Sequence, residues 1–284
     1  MSMTYDPWEP RDAPTGLAPA PPERPQPEFH SPVQEHRGPL RRLGGGIVGG
    51  GLLALKFLGQ FAILFKFKFL FTFAITVGAY ALFWGWWFGL GFAVLLLVHE
   101  LGHVLWLKRE GITSTMPVFI PFMGAFVAMK EMPKNAYVEA KVGLAGPVLG
   151  TLGAGVCLAV AVATDSDLLR AVAYTAFFLN LFNLIPVVPL DGGRAAAAFH
   201  PAFWFVGVFA VALLFFWHPN PLILVIALLG CYELFHRWGH RNDPQAQAYY
   251  ATPWRQRLTI GVVYLALIGL LVLGMEASYL HRSF

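Results

Sequence analysis

The sequence predicts an all-α polytopic membrane protein with about six to seven transmembrane helices and one short re-entrant β-hairpin. The chain is 57% hydrophobic and 13% charged over 284 residues. Apolar runs of about 20 residues recur along it, which is the length that an α-helix needs to cross a bilayer. A soluble core cannot enclose that many runs, so the lipid bilayer is a predicted partner. The net charge of +4 does not indicate a nucleic-acid partner.

Two segments precede the first predicted span. Residues 1–40 hold ten of the 21 prolines, with many charges and few aliphatic side chains. This composition predicts a disordered, Pro-rich cytoplasmic tail. Residues 41–68 begin with a glycine-rich stretch and continue as an apolar run that Lys56, Lys66 and Lys68 interrupt. The interrupted run favours an amphipathic helix on the cytoplasmic face over a spanning helix.

Seven apolar runs account for the predicted spans, and the fifth and sixth are short enough to form one tilted pair. They cover residues 69–85, 92–107, 138–163, 168–188, 203–217, 222–235 and 258–275, with a turn at Gly89–Gly91 after the first. With a cytoplasmic N-terminus, Arg170 and Arg282 alone among the 20 Lys and Arg residues face the other side, as the positive-inside rule favours. We expect an integral protein of the bacterial inner membrane, in which residues 69–195 form a three-to-four-helix core and residues 196–284 form the C-terminal helices.

Residues 111–134 are too short and too rich in proline and glycine for a spanning helix. Val118–Pro121 and Ala125–Met129 are predicted to be two short strands around Met123 and Gly124. Backbone that is not helical survives at membrane depth only where it is buried or lines a cavity. We therefore expect a re-entrant hairpin over residues 113–130, beside the functional site.

The functional site is predicted at Val98-His99-Glu100-Leu101-Gly102-His103, inside an apolar run. On an α-helix His99 and His103 lie one turn apart on the same face, so both imidazoles can bind one metal ion. Glu100 is offset by about 100°, which suits a carboxylate that acts on water. Ionisable side chains within a membrane span indicate a functional site by default. The pattern predicts a zinc site about 10 Å from the cytoplasmic surface.

A hydrolytic zinc site needs a third protein ligand. Glu110 lies too far along the same helix, seven residues beyond His103. Glu131 and Glu139 lie among cytoplasmic charges, and we expect them to be solvated. Asp191 is the predicted ligand, because it follows the fourth span on the same side of the membrane as His103. Two prolines and two glycines around it indicate a broken helix with close backbone contacts.

A second pair of histidines repeats the four-residue spacing. His236 and His240 occur in the sequence HRWGH, which has no glutamate and is flanked by arginines. We predict that this pair lies at the membrane interface and binds no catalytic metal.

The motifs HELGH and N-x-x-P-x-x-P-L-D-G-G resemble those of the site-2 protease family of intramembrane zinc metalloproteases, over residues 70–195. The resemblance implies that His99, His103 and Asp191 bind one zinc ion per chain and that Glu100 is the general base. It also implies that Asn183 helps to hold the reacting carbonyl group. The expected activity is hydrolysis of a peptide bond within or near the transmembrane segment of a membrane-protein substrate.

The hairpin resembles the family's re-entrant hairpin beside the cleft. Because a substrate helix must unwind before cleavage, its extended stretch can pair with the hairpin edge by strand addition. The residues predicted to bind substrate are Gly124, Ala125, Phe126, Val127 and Ala128. The sequence specifies neither the substrate nor the oligomeric state.

Two other functions compete with proteolysis. A polytopic transporter would explain the spans, but it predicts inverted repeats and broken helices in both halves, and the sequence has no such symmetry. A catalytically silent zinc-binding scaffold would not need the glutamate of the motif, and Glu100 is present.

Overall fold

The computed structural model describes residues 68–200 and 202–280. The predicted tail and nearly all of the predicted amphipathic segment lie outside these residues. The described elements are α1 (Lys68–Trp84), α2 (Trp86–Arg109), β1 (Val118–Ile120), β2 (Gly124–Phe126), α3 (Ala136–Ala163), α4 (Asp167–Asn183), α5 (Asp191–Ala197), α6 (Phe203–Trp217), α7 (Pro221–Gly239), α8 (Pro244–Tyr250) and α9 (Trp254–Ser278).

The helices confirm the predicted class of an all-α polytopic protein with a small hairpin. Among the described residues, α2, α3, α7 and α9 are long and apolar enough to cross a membrane, and α1 and α6 are shorter apolar helices. Each predicted span corresponds to a helix, α4 included. Large apolar side chains such as Leu82, Phe209 and Leu265 are exposed on these helices, as expected for surfaces that contact lipid.

The first predicted turn is wrong by several residues. The chain breaks at Gly85, whose φ of 88° is in the region that glycine adopts without steric cost. Gly89 and Gly91 lie inside α2 instead. A Cβ atom on Gly89 would lie 2.8 Å from the backbone oxygen of Val77, so this glycine allows α1 and α2 to approach closely. A glycine that forms a turn and a glycine that allows two helices to approach look alike in the sequence.

The fourth predicted span also ends early, at Asn183 rather than Val188. Pro186 cannot donate a helical hydrogen bond, and the chain runs irregularly until α5 begins at Asp191. The predicted close contacts of the two glycines are present. A Cβ atom on Gly192 would lie 2.1 Å from the carbonyl oxygen of Leu184, and one on Gly193 would lie 2.5 Å from the carbonyl carbon of Val187. The irregular segment is therefore packed directly against α5.

The hairpin pairs β1 and β2 in antiparallel register, with Val118 opposite Phe126 and Ile120 opposite Gly124. The second strand ends at Phe126, not at the predicted Met129. An isolated bridge joins Ser114 to Met129. Residues 115–117 therefore oppose residues 127–128, and this extra residue forms a bulge that interrupts the ladder.

Glu139, predicted to be solvated, is buried on α3 with 5% of its surface exposed. The Tyr249 hydroxyl of α8 donates to Glu139 Oε2 at 2.9 Å, and Arg237 Nη2 of α7 lies 3.8 Å from Glu139 Oε1. Burial and this carboxylate raise the pKa of Tyr249. The prediction was wrong because helices distant in sequence cover this position. Glu131 is exposed, as predicted.

Candidate metal centre and active site

The HELGH motif lies on α2, and both of its histidines are buried. Asp191 is the first residue of α5, and its carboxylate lies beside both imidazole rings. The His99 and His103 Nε2 atoms are 3.2 Å apart, and Asp191 Oδ2 lies 3.1 Å from the first and 3.3 Å from the second. In the described part of the chain, these three residues form the one group of His, Cys, Asp and Glu side chains that could hold a metal ion.

The spacing of the three donor atoms fits a tetrahedral zinc ion. With zinc bonds of about 2.0 Å, two ligands at tetrahedral corners are about 3.3 Å apart. The observed separations of 3.1 to 3.3 Å agree with that edge. Two imidazole nitrogens and one carboxylate oxygen also match the donor set of hydrolytic zinc sites. The residues present therefore fit the predicted ion.

The other nitrogen of each imidazole has a hydrogen-bond acceptor. His99 Nδ1 donates to Asn180 Oδ1 at 2.8 Å, and His103 Nδ1 donates to the backbone oxygen of Val142 at 2.8 Å. Asn180 is itself fixed, because its Nδ2 donates to the backbone oxygen of Ala176 at 2.8 Å. Such partners select the tautomer and direct the Nε2 lone pair to the metal.

Asn180 was not predicted from the sequence, which drew attention only to Asn183 three residues later. Asn180 is buried on α4 with 2% of its surface exposed. An amide inside an apolar helix is itself an indication of function, and this signal could have identified it. Val142 could not have been found, because it contributes a backbone atom.

Two glycines of α3 allow the polar side chains to approach its backbone. A Cβ atom on Gly146 would lie 2.2 Å from His103 Nε2, and one on Gly150 would lie 2.2 Å from Asn180 Oδ1. Small residues one turn apart on a helix are typical of close helix packing. The packing is present, but its partners are the side chains of the metal centre.

A cavity of about 290 Å³ opens beside the three donor atoms. Glu100 and Asn183, the two residues with predicted catalytic roles, line it, and so does Arg194, for which the sequence predicted no role. Glu100 is 3% exposed. The residues 124–127 of the hairpin line the opposite wall. Ala128 lies instead in the base of the hairpin, where its N–H donates to Thr115 Oγ1 at 3.1 Å.

One edge of the hairpin is held by α1. Phe119 packs against Phe69 and Phe73, and its N–H donates to Thr72 Oγ1 at 3.3 Å rather than to β2. Phe119 is opposite Ala125 in the register, and backbone groups alternate between facing the partner strand and facing outward. The N–H and C=O groups of Ala125 therefore point away from β1, along the edge that α1 does not cover.

A larger apolar cavity of about 610 Å³ adjoins the first. The two cavities share six lining residues: Glu100, Met123, Gly124, Ala125, Asn183 and Leu190. Apolar side chains of α2, α4, α6 and α7 provide most of its remaining wall. The site is thus reached by a space that is polar near the donor atoms and apolar elsewhere.

The residues rejected as ligands lie elsewhere. Glu110 pairs with Lys141 and accepts a hydrogen bond from Trp106 Nε1 at 3.2 Å. His236 and His240 are exposed, and their rings stack with centroids 4.8 Å apart.

Comparison with known proteins confirms the predicted resemblance. Residues 87–167 match peptidase family M50, the site-2 protease family. A zinc metalloprotease of Methanocaldococcus jannaschii is 35% identical over 123 residues, and Rip3 of Mycobacterium tuberculosis, provisionally named a zinc metalloprotease, is 32% identical over 136 residues. The aligned stretches cover 42% and 44% of this chain, and 35% and 34% of the relatives. This chain thus spans about a third of the length of the curated relatives that it matches. The family match ends before Asp191, so the third ligand rests on the geometry.

Proposed function

We propose that this chain is an intramembrane zinc metalloprotease that hydrolyses peptide bonds within or near the transmembrane segment of a membrane-protein substrate. The observation that carries the proposal is the tetrahedral spacing of His99, His103 and Asp191, 3.1 to 3.3 Å apart, next to a buried Glu100. The two relatives named as zinc metalloproteases support the same chemistry.

The three ligands would hold one zinc ion per chain, which supplies Lewis-acid chemistry by acidifying water and polarising a carbonyl group. Glu100 takes the proton from the attacking water and returns it to the leaving amine. It is buried and lines the cavity beside the donor atoms, so its carboxylate is placed to act on water there. Asn183 lines that cavity, and its amide N–H can donate to the carbonyl oxygen as negative charge develops there.

The apolar cavity of about 610 Å³ supports an apolar peptide as the substrate. A helical substrate hides its peptide carbonyls in hydrogen bonds, so it must unwind before they can reach the metal. The unwound stretch would pair with the outward backbone groups of Ala125 by strand addition. Membrane proteins with helix-weakening residues near the cytoplasmic end of a span are therefore the proposed substrates.

The proposed topology has a cytoplasmic N-terminus and an active site near the cytoplasmic face of the bacterial inner membrane. Lys108 and Arg109 end the catalytic helix, and basic residues are enriched on that side of a membrane. Lys108 is five residues beyond His103, or about 7 Å along the axis. At this depth water reaches the metal centre without crossing the hydrocarbon.

Two variants test the proposed roles of the acids. Glu100→Gln should abolish cleavage and retain zinc, because its carboxylate acts on water and does not bind the ion. Asp191→Ala should lose both zinc and cleavage. Both variants are purified, their zinc content is measured, and membrane fragments released in cells are identified by proteomics. Equal zinc loss in the two variants would contradict the assignment, and unchanged cleavage by Glu100→Gln would contradict the proposed reaction.

A further inference from the structure

A third cavity, of about 530 Å³, is lined by residues of α2 other than those that line the metal-centre cavity. Its walls come from the C-terminal half of α2, the N-terminal half of α3 and the start of α9. The metal-centre cavity shares none of these residues. A volume of this size is in the range of small-molecule sites.

One end of this cavity is polar. Arg109, Glu110 and Lys141 line it together with the rings of Trp106 and Tyr137. The Arg109 guanidinium lies 5.2 Å from the centre of the Trp106 ring, and Lys141 Nζ lies 4.9 Å from that of Tyr137. Aromatic rings and basic groups together are typical of the level of lipid headgroups.

The charges at this end do not cancel. Glu110 is paired with Lys141, and this hydrogen bond holds the pKa of the Glu110 carboxyl below its usual value. Glu110 therefore stays anionic and offsets one cation. Two cations and one anion leave a net charge of +1, which the exposed Arg109 carries toward the solvent.

The other end is apolar. Antiparallel packing of α2 and α3 places Gly102 beside Ala145, where a Cβ atom on the glycine would lie 2.2 Å from the alanine oxygen. Leu144, Val148 and Ile260 line this end. From Arg109 to Gly102 the apolar wall runs for seven residues, or about 10 Å. Leu105 and Val148 of this wall are exposed, so the cavity is an open groove that faces lipid in a membrane.

We propose that this groove binds one anionic phospholipid. Its phosphate pairs with Arg109 and Lys141 at the polar end, and an acyl chain lies along α3 and α9. A free phosphate would bind at the polar end and would make no contact with the apolar wall. A zwitterionic lipid would bring an ammonium group against a site of net positive charge. Basic pockets between helices on the cytoplasmic side are suited to anionic lipid headgroups.

The position of the groove links the lipid to the metal centre. Gly102 precedes the ligand His103, and Ala145 precedes Gly146, which packs against the His103 ring. A lipid in the groove would contact all three helices that line it, and it would bind the folded protein alone. Binding should therefore raise the thermal stability of the protein, whether or not the chain is a protease.

The test uses the purified full-length protein in a neutral detergent at low salt. Phosphatidylglycerol, phosphatidylcholine and glycerol phosphate are titrated separately, and the unfolding temperature and bound mass are recorded. Phosphatidylglycerol should bind and raise the unfolding temperature, while the other two should do neither. Equal effects of phosphatidylglycerol and phosphatidylcholine would overturn the anionic specificity. Equal binding of phosphatidylglycerol and glycerol phosphate would show that the site recognises the phosphate alone, and it would overturn the role of the apolar wall.

Paired variants locate the site. Arg109→Gln should weaken phosphatidylglycerol binding by at least about tenfold, because it removes a charge-assisted hydrogen bond. Arg241→Gln is the matched control, since Arg241 is exposed and lies 4.7 Å from the Trp238 ring outside the groove. Val148→Trp should fill the apolar end and block binding, whereas Val156→Trp on the exposed surface of the same helix should not. Equal losses within either pair would overturn the assignment to this groove.

Discussion

Replacing Gly146 by alanine should remove the metal from a protein that still folds. The new Cβ atom would lie 2.2 Å from Nε2 and 2.5 Å from Cε1 of His103. Carbon and nitrogen atoms that are not bonded approach to about 3.5 Å, so the imidazole must move by more than about 1 Å. A zinc ligand tolerates about 0.2 Å. The displaced ring can therefore no longer complete the site.

Gly146→Ala should lower the stability of the fold only slightly, although it should prevent zinc binding. Overfilling a packed interior costs about 1–3 kcal/mol. Alanine in place of glycine inside a helix returns up to about 1 kcal/mol. The net loss of about 0–2 kcal/mol leaves a folded helix bundle, whereas a ligand displaced by about 1 Å lowers catalysis by about a hundredfold.

The assay is zinc content per chain, measured beside far-ultraviolet circular dichroism and the rate of cleavage of a transmembrane substrate. Gly155→Ala is the matched control, because it lies on the same helix and its Cβ atom would meet nothing within 4 Å. That variant should keep its zinc and activity and gain a little stability. A Gly146→Ala protein with one zinc per chain and the activity of the control would refute the reasoning.

Three further predictions follow from the site. Asn180→Ala removes the hydrogen-bond acceptor of His99. Loss of a partner of this kind lowers metal affinity by about 10–100-fold, which a competition titration with zinc would measure. Unchanged affinity would show that this hydrogen bond is dispensable. The double variant His236→Ala with His240→Ala should keep one zinc per chain and cleave at the wild-type rate. Loss of the metal in this variant would show that these histidines bind it. Ala125→Pro removes an outward N–H and should slow cleavage several-fold with the zinc retained. Proline at Phe126, whose N–H faces β1, should also damage folding.

The sequence was sufficient for the elements that depend on composition and short spacing. Apolar runs located every long helix of the described residues to within about six residues, and the spacing of His99 and His103 placed both rings on one face of a helix. Asp191 was predicted because it follows a helix broken by prolines, on the side of the membrane expected for His103, and it lies beside both histidines. In each of these cases the information is local, or it depends only on which side of the membrane a residue occupies.

The structural features that the sequence did not predict depend on contacts between segments that are distant in the chain. The burial of Glu139 requires α7 and α8 to fold over α3, and no property of its neighbours in the sequence reveals that. The register of the hairpin depends on a bulge near Pro117 and on the hydrogen bond of Phe119 to α1. Glycine is ambiguous for the same reason, because it marks a turn at residue 85 and a helix contact at residue 89.

The glycines of α3 show how one helix can set the geometry of the whole centre. A Cβ atom on Gly143 would lie 2.9 Å from the backbone oxygen of Asp191. Those on Gly146 and Gly150 would each lie 2.2 Å from a side chain, His103 in one case and Asn180 in the other. These three partners belong to α5, α2 and α4, so the same surface of α3 contacts every helix that supplies a predicted metal ligand or holds one in place. Because a backbone cannot change rotamer, it fixes these distances more tightly than side chains would. The tetrahedral spacing of the donor atoms is therefore a consequence of helix packing.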